Sequence, residues 1–288
     1  MKVARLVAFV GLLLVLVGVD AFLIEPDWIE VTHHRVAAPL SSPLKIAHLS
    51  DLHTYGLGRR EQRMFALLAE EQPDVIVITG DSIFDGGSPS IFTQLDPQPK
   101  RAGKPTHNPE FKTFDERYRR CGEVLRQLHA PLGVWLVKGN WEHYHRVRDE
   151  RAYYKAAGIR FLLNSAAELC PGVWILGLDD AMVGSPDLLA TLEGVPPDAF
   201  KIALFHAPAY FDRIAGQCNL ALAGHTHGGQ VYLPFLTPLW LPSGCGDFLA
   251  GWYAKQGSHM YVSRGLGTSM LSVRFLCRPE LAFITVGK

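Results

Sequence analysis

Apolar and polar positions along the chain repeat in two rhythms, and the changes from one to the other mark out the elements. Residues 6–19 form an unbroken apolar run behind Lys2 and Arg5; Asp20 interrupts it, and Ala21, Phe22, Leu23 and Ile24 extend it. Read as far as Ile24, the segment offers about 19 positions, close to the ~20 that cross a bilayer. A signal anchor is expected over residues 1–24. A signal peptide cleaved at the small-residue stretch Val19-Asp20-Ala21, or a buried core helix, are the alternatives. Residues 28–32 alternate as an edge strand does, and a Pro-flanked linker at 37–43 completes a segment of residues 25–43.

The folded domain is expected to occupy residues 44–288. Residues 44–50 read as a strand, and Met64, Phe65, Leu67 and Leu68 repeat on a helical period that Pro73 stops. Residues 75–79 are a continuous β-branched run, the kind covered on both faces of a sheet. Residues 86–111 are rich in Pro, Gly and Ser without a period, which predicts an inserted surface loop able to serve as a substrate lid. A helix over 114–128, a strand over 133–137 and a helix over 148–157 follow. Residues 173–177, 201–205, 220–223, 260–262 and 281–286 are further short apolar runs bounded by turn residues. Together these predict an α/β fold of two packed sheets with helices outside.

Composition narrows the classes. The 288 residues are 48% hydrophobic and 19% charged, as one sizeable globular domain would be. Lys plus Arg and Asp plus Glu balance at 28 each, so no polyanion-binding surface is indicated and no nucleic-acid partner is expected. The five cysteines are far apart and form no Cys-x-x-Cys pair, which argues against a zinc knuckle or a disulfide framework. Basic residues precede the apolar run and Glu25, Asp27 and Glu30 follow it. This places the N-terminus inside and the domain on the outer side of the membrane, or in an exported protein if the leader is cleaved.

Ligand-type residues recur directly after the apolar runs: Asp51 and His53, Asp81, Asn140, His206, then His225 and His227. In layered α/β folds the carboxyl ends of strands converge on one edge, so these residues are expected to meet there. Each signal alone is an ordinary turn or a structural histidine. Two carboxylates, one amide and four imidazoles at five strand ends are a metal site. Hard oxygens mixed with imidazole nitrogens suit Mn²⁺, Fe or Zn²⁺, manganese first, and exclude a thiolate-seeking ion. A pair of such ions sharing a carboxylate is suited to phosphoester hydrolysis.

Asp51-Leu52-His53, Gly80-Asp81, Gly139-Asn140, His206 and Gly224-His225-Thr226-His227 resemble the ordered motif set of calcineurin-like metallophosphoesterases. The leader and the stretch from Val262 to Thr268 are similar to the family's bacterial membrane-associated or exported branch. The resemblance implies a four-layered α/β/β/α sandwich. It implies that Asp51, His53 and His227 hold one divalent ion, Asn140, His206 and His225 a second, with Asp81 bridging and a metal-bridging hydroxide as nucleophile. A substrate bearing a phosphodiester or diphosphate, small or lipid-linked, such as a nucleotide-sugar diphosphate, follows from it.

The family's usual histidine after Gly-Asn is replaced by Trp141. His143 or His145 can take over protonation of the leaving oxygen, with His143 the catalytic candidate beside Asp81, or the substrate can carry a leaving group that needs no proton. Trp141 itself either packs or offers a ring face to substrate. A degenerate protein that binds metal and phosphate without turnover is the non-enzymatic alternative.

Overall fold

The structure, a computed structural model, describes residues 2–83, 114–145, 147, 149–233, 236 and 241–287. The expected loop at 86–111 lies outside these residues. The first helix, α1 (Lys2–Val19), buries none of its side chains and is long and apolar enough to cross a membrane. A wider turn, Asp20–Ile24, and a short 3-10 turn, Glu25–Asp27, carry the chain from it onto the domain.

Among the described residues twelve strands follow in chain order: β1 (Glu30–Val36), β2 (Leu44–Leu49), β3 (Val75–Thr79), β4 (Val134–Val137), β5 (Ile159–Phe161), β6 (Ser165–Cys170), β7 (Val173–Gly177), β8 (Phe200–Leu204), β9 (Leu220–Ala223), β10 (Gly251–Lys255), β11 (Ser258–Val262) and β12 (Glu280–Val286). They form two six-stranded sheets, ordered β1-β12-β2-β3-β4-β5 and β10-β11-β9-β8-β7-β6. Within each sheet a central block is parallel, β2 to β5 in one and β7, β8, β9 and β11 in the other. Their carboxyl ends therefore share an edge. The N-terminal edge strand of the sequence reading is β1, paired in parallel along β12.

Alternation along each strand assigns side chains to layers. Ile46, Val75 and Val77 from the first sheet meet Ile202, Leu204, Leu220 and Leu222 from the second, forming the core between the sheets. Their sequence neighbours Ala47, Ile76 and Ile78 point the other way, onto Met64 and Leu67 of α2 (Arg59–Glu71) and Cys121 and Val124 of α3 (Phe114–Leu125). Ala203, Ala221 and Met260 likewise face Phe211 and Ile214 on the outer side of the second sheet. The period of two thus yields helix, sheet, sheet, helix, and a one-residue slip in any central strand would exchange two cores. Strands β5, β6 and β10 went unread in the sequence. They are short or lie at sheet edges, and exposed polar positions in them, such as Arg160, Glu168 and Lys255, break the apolar run on which the other strands were recognised.

Candidate metal centre

Every ligand-type residue singled out in the sequence stands just past the carboxyl end of a strand: Asp51 and His53 after β2, Asp81 after β3, Asn140 after β4, His206 after β8, His225 and His227 after β9. All seven are buried. Donor atoms of Asp51, His53 and His227 lie within 4.8 Å of one another, and so do those of Asp81, His206 and His225. Asn140 joins the second group with its Oδ1 3.1 Å from His206 Nε2. Asp81 Oδ2 stands between the groups, 3.1 Å from His206 Nε2 and 3.7 Å from His53 Nε2.

The arrangement fits cations on two counts. His206 Nδ1 is 2.7 Å from the Thr79 carbonyl, and His225 Nε2 is 2.8 Å from the Ser243 carbonyl, so each ring donates outward and turns its other nitrogen inward. Those inward nitrogens face each other at 3.0 Å beside the Asp81 and Asn140 oxygens, a convergence of lone pairs that a proton or a cation relieves. In the other group Asp51 Oδ1 and His53 Nε2 are buried without a hydrogen-bond partner among the described residues, and His227 Nε2 stands 3.4 Å from Asp51 Oδ1. Unpartnered buried groups of this kind cost about 1–3 kcal/mol each.

The backbone is strained at the same places. Asp51, His53, Asp81, His225 and His227 all adopt left-handed conformations, with φ of 51°, 37°, 51°, 72° and 52°. Non-glycine residues there cost of order 1–3 kcal/mol each unless the surroundings hold them. Asp51 N–H donates to the Gly80 carbonyl at 3.1 Å and His53 N–H to the Asp81 carbonyl at 2.9 Å, while Gly267 N–H reaches back to the Asp51 carbonyl at 2.6 Å. Close approach makes two glycines obligatory. A Cβ on Gly139 would lie 2.2 Å from Asp81 Oδ1, and one on Gly224 would lie 1.8 Å from Ser50 Oγ.

Residues not singled out in the sequence hold this edge together. Glu142, buried in α4 (Asn140–Tyr144), accepts the N–H groups of Asp81 and Gly139 at 2.9 Å, that of Ser82 at 2.7 Å, and the Ser82 hydroxyl. Its signal was available: an acid three positions after a helix-capping Gly139. His48 Nε2, Thr79 Oγ1, Ser50 Oγ and Asp51 Oδ2 form a buried hydrogen-bonded chain with steps of 2.9, 2.8 and 2.6 Å. Arg274 is wholly buried, and its guanidinium donates to the carbonyls of Gly267, Cys277, Arg264 and Gly265 at 2.6 to 3.1 Å, stapling the loops that flank His227 and Asp51. No periodicity foretells a buried arginine satisfied mainly by backbone carbonyls.

Burial sets the charge states. It pushes the pKa values of His53 and His227 well down and that of His225 down to about 3, leaving three neutral imidazoles. Burial also raises the Asp51 and Asp81 carboxyls, Asp81 to about 7, although His206 opposes it. For His206 burial acts downward, but Asp81 and Asp51 outweigh it and hold the ring well above the usual histidine range. In the metal-free protein the Asp81–His206 pair therefore carries a proton where a cation would otherwise sit.

Around the ligands lies a cavity of about 170 Å³, walled by Trp141, Met182, Gln230, Pro242 and Met270 as well as by Asp81, Asn140, His225 and His227. Trp141 stacks on His145 with centroids 5.7 Å apart and meets His53 edge-on at 6.2 Å, so it is both packed and presented to the cavity. His143 Nε2 lies 2.6 Å from Asp179 Oδ1, behind the residues that line the cavity. Asp179 and Asp180 accept the N–H groups of Ser185, Met182 and Val183 in a turn, and Asp179 takes His143 in addition. Burial raises the Asp179 carboxyl, but His143 and the backbone donors bring it below the usual range. Arg264 is committed to Glu30 at 3.1 Å and Glu280 at 3.2 Å.

Residues 44–229 match the family model described as calcineurin-like phosphoesterase. An uncharacterised metallophosphoesterase of Bacillus subtilis (strain 168), YkuE, is 32% identical over 91% of this chain and 87% of its own. The phosphodiesterase YaeI of Escherichia coli (strain K12) is 29% identical over 90% of this chain and 89% of its own. A transmembrane protein with metallophosphoesterase domain from Bos taurus is 28% identical over 88% of this chain and 55% of its own.

Proposed function

The chain belongs to the calcineurin-like phosphoesterase family and is a metal-dependent phosphoesterase, and from that premise we propose a membrane-tethered phosphodiesterase or diphosphate hydrolase working on the outer face of the membrane. Asp51, His53 and His227 hold one divalent ion in this reading, Asn140, His206 and His225 the other, and Asp81 bridges them. Manganese is the first choice for a donor set of oxygens and imidazoles. The observation that carries the assignment is the position of Asp81 Oδ2 between two groups of converging, buried donor atoms.

When bound, the two ions supply Lewis acidity to the phosphoryl oxygens and hydroxide at neutral pH. The residues of the chain do the rest. Neutral His53, His225 and His227 have no proton to expel on loading, whereas the Asp81–His206 pair must release one. Glu142 and the chain from His48 to Ser50 keep Asp81 and Asp51 from turning away. Trp141 and Met270 exclude water on the substrate side. His143, hydrogen-bonded to Asp179 at 2.6 Å, is assigned to protonating the leaving oxygen.

A phosphodiester or diphosphate carried by a lipid or another envelope component suits a site held at a membrane by α1, and the diesterase name of the Escherichia coli relative agrees with the bond type. The test is hydrolysis of bis-aryl against mono-aryl phosphate by the full chain in detergent with Mn²⁺. Chelator-sensitive preference for the diester is expected. Preference for the monoester would overturn the bond assignment.

A further inference from the structure

Exposed apolar side chains do not stop where α1 ends. Phe22, Leu23 and Ile24 continue the exposed apolar surface beyond the helix, while Ala21 and Glu25 between them are buried against the domain. The Ala21 carbonyl accepts the Arg274 N–H at 2.9 Å, and the Glu25 carboxylate accepts the N–H groups of Leu276 and Cys277. Arg278 lies over the half-exposed Trp28 ring, 3.6 Å from its centroid, on the same stretch. The exit from the helix is thus fixed to the segment 274–278.

That segment is also the next layer behind the cavity wall. Phe275 N–H donates to the Gln230 carbonyl at 3.0 Å and Tyr232 N–H to the Phe275 carbonyl at 2.8 Å, and Gln230 lines the cavity beside His227. Two backbone pairings, Ala21 to Arg274 and Phe275 to Gln230, connect the end of the helix with the mouth of the site. At one strand spacing each they span about 10 Å, which brings the mouth to the outer edge of a headgroup layer ~5–8 Å deep. Leu276 and Tyr232, one on each of the two intervening segments, are 56% and 41% exposed, and beside Phe22, Leu23 and Ile24 they add to an apolar face.

We propose that Phe22, Leu23, Ile24, Leu276 and Tyr232 form a docking face for the bilayer that α1 enters, so that the mouth of the metal site rests at the outer edge of the headgroup layer. This rests on α1 being a membrane anchor. The Glu25 clamp then does more than tether: it sets the orientation, and a phosphate carried on a lipid headgroup reaches the cavity without leaving the surface. Trp28 under Arg278 is suitably placed as an interfacial aromatic.

The test places single spin labels on the full chain in lipid nanodiscs, by Leu14→Cys, Tyr232→Cys, Leu276→Cys and Ser42→Cys, with unsubstituted protein labelled in parallel. Ser42 is exposed just before β2, at the opposite end of the strands. Relaxation by oxygen against a water-soluble nickel chelate reads immersion. The proposal expects oxygen to dominate at 14, a membrane-interface balance at 232 and 276, and nickel to dominate at 42. If 14 is immersed but 232 and 276 match 42, the docking face is overturned and the anchor stands. If 14 itself matches 42, the anchor fails and the docking face fails with it.

Discussion

At the scale of single residues the site is a balance between strain and support. Five left-handed candidate ligands and several buried atoms without a partner among the described residues are tolerated because Glu142, Ser50 and Arg274 fix the surroundings. Glu142→Ala leaves the buried N–H groups of Asp81, Ser82 and Gly139 without an acceptor, and a loss of about 3 kcal/mol or more in unfolding free energy is expected by denaturant titration. An unchanged midpoint would show that water replaces the carboxylate. His143→Gln separates a proton donor from a merely structural side chain. If it donates, the variant loses about 10² to 10⁴ in rate on alkyl esters and far less on nitrophenyl esters, whose leaving groups need no proton. Equal losses on both would remove His143 from the chemistry.

At the scale of elements, the strand ends carried the sequence reading. Asp51, Asp81, Asn140, His206 and His225 were legible because each follows an apolar run long enough to be recognised as a strand, and parallel strands must share an edge. Glu142 was legible in principle as a helix-capping acid. Arg274 and Glu25 were not, because their partners are backbone groups brought near only by the tertiary fold. His48 illustrates the middle case: its strand was evident, but not that it faces the core between the sheets, hydrogen-bonded to Thr79. Burial lowers its pKa to about 4 from an ordinary 6.5. Between those values the unfolded chain binds the extra proton, so the contribution of His48 to stability is complete above 6.5 and is lost as pH falls toward 4. The stability difference between wild type and His48→Asn should therefore shrink by about 3 kcal/mol from pH 7 to pH 4. A difference independent of pH would mean that the folded imidazole titrates normally.

At the scale of the whole molecule, two sheets, an outer layer of helices on each and an exposed apolar helix make a catalytic body on a leash. The proposed orientation, with the body outside, rests on the basic residues before α1 and the acids after it. Protease added to right-side-out vesicles is expected to remove the domain, and protection there with cleavage in inverted vesicles would reverse the orientation. The central claim, though, is that seven side chains from both sheets hold two ions with Asp81 between them. Its most direct measurement is the number of Mn²⁺ ions bound per chain by the purified full-length protein and by Asp81→Asn, with diester hydrolysis followed in the same samples. Two ions in the wild type, fewer in the variant and loss of hydrolysis by about 10³ or more are predicted. A folded Asp81→Asn protein that still binds two ions and turns over at the wild-type rate would contradict the account.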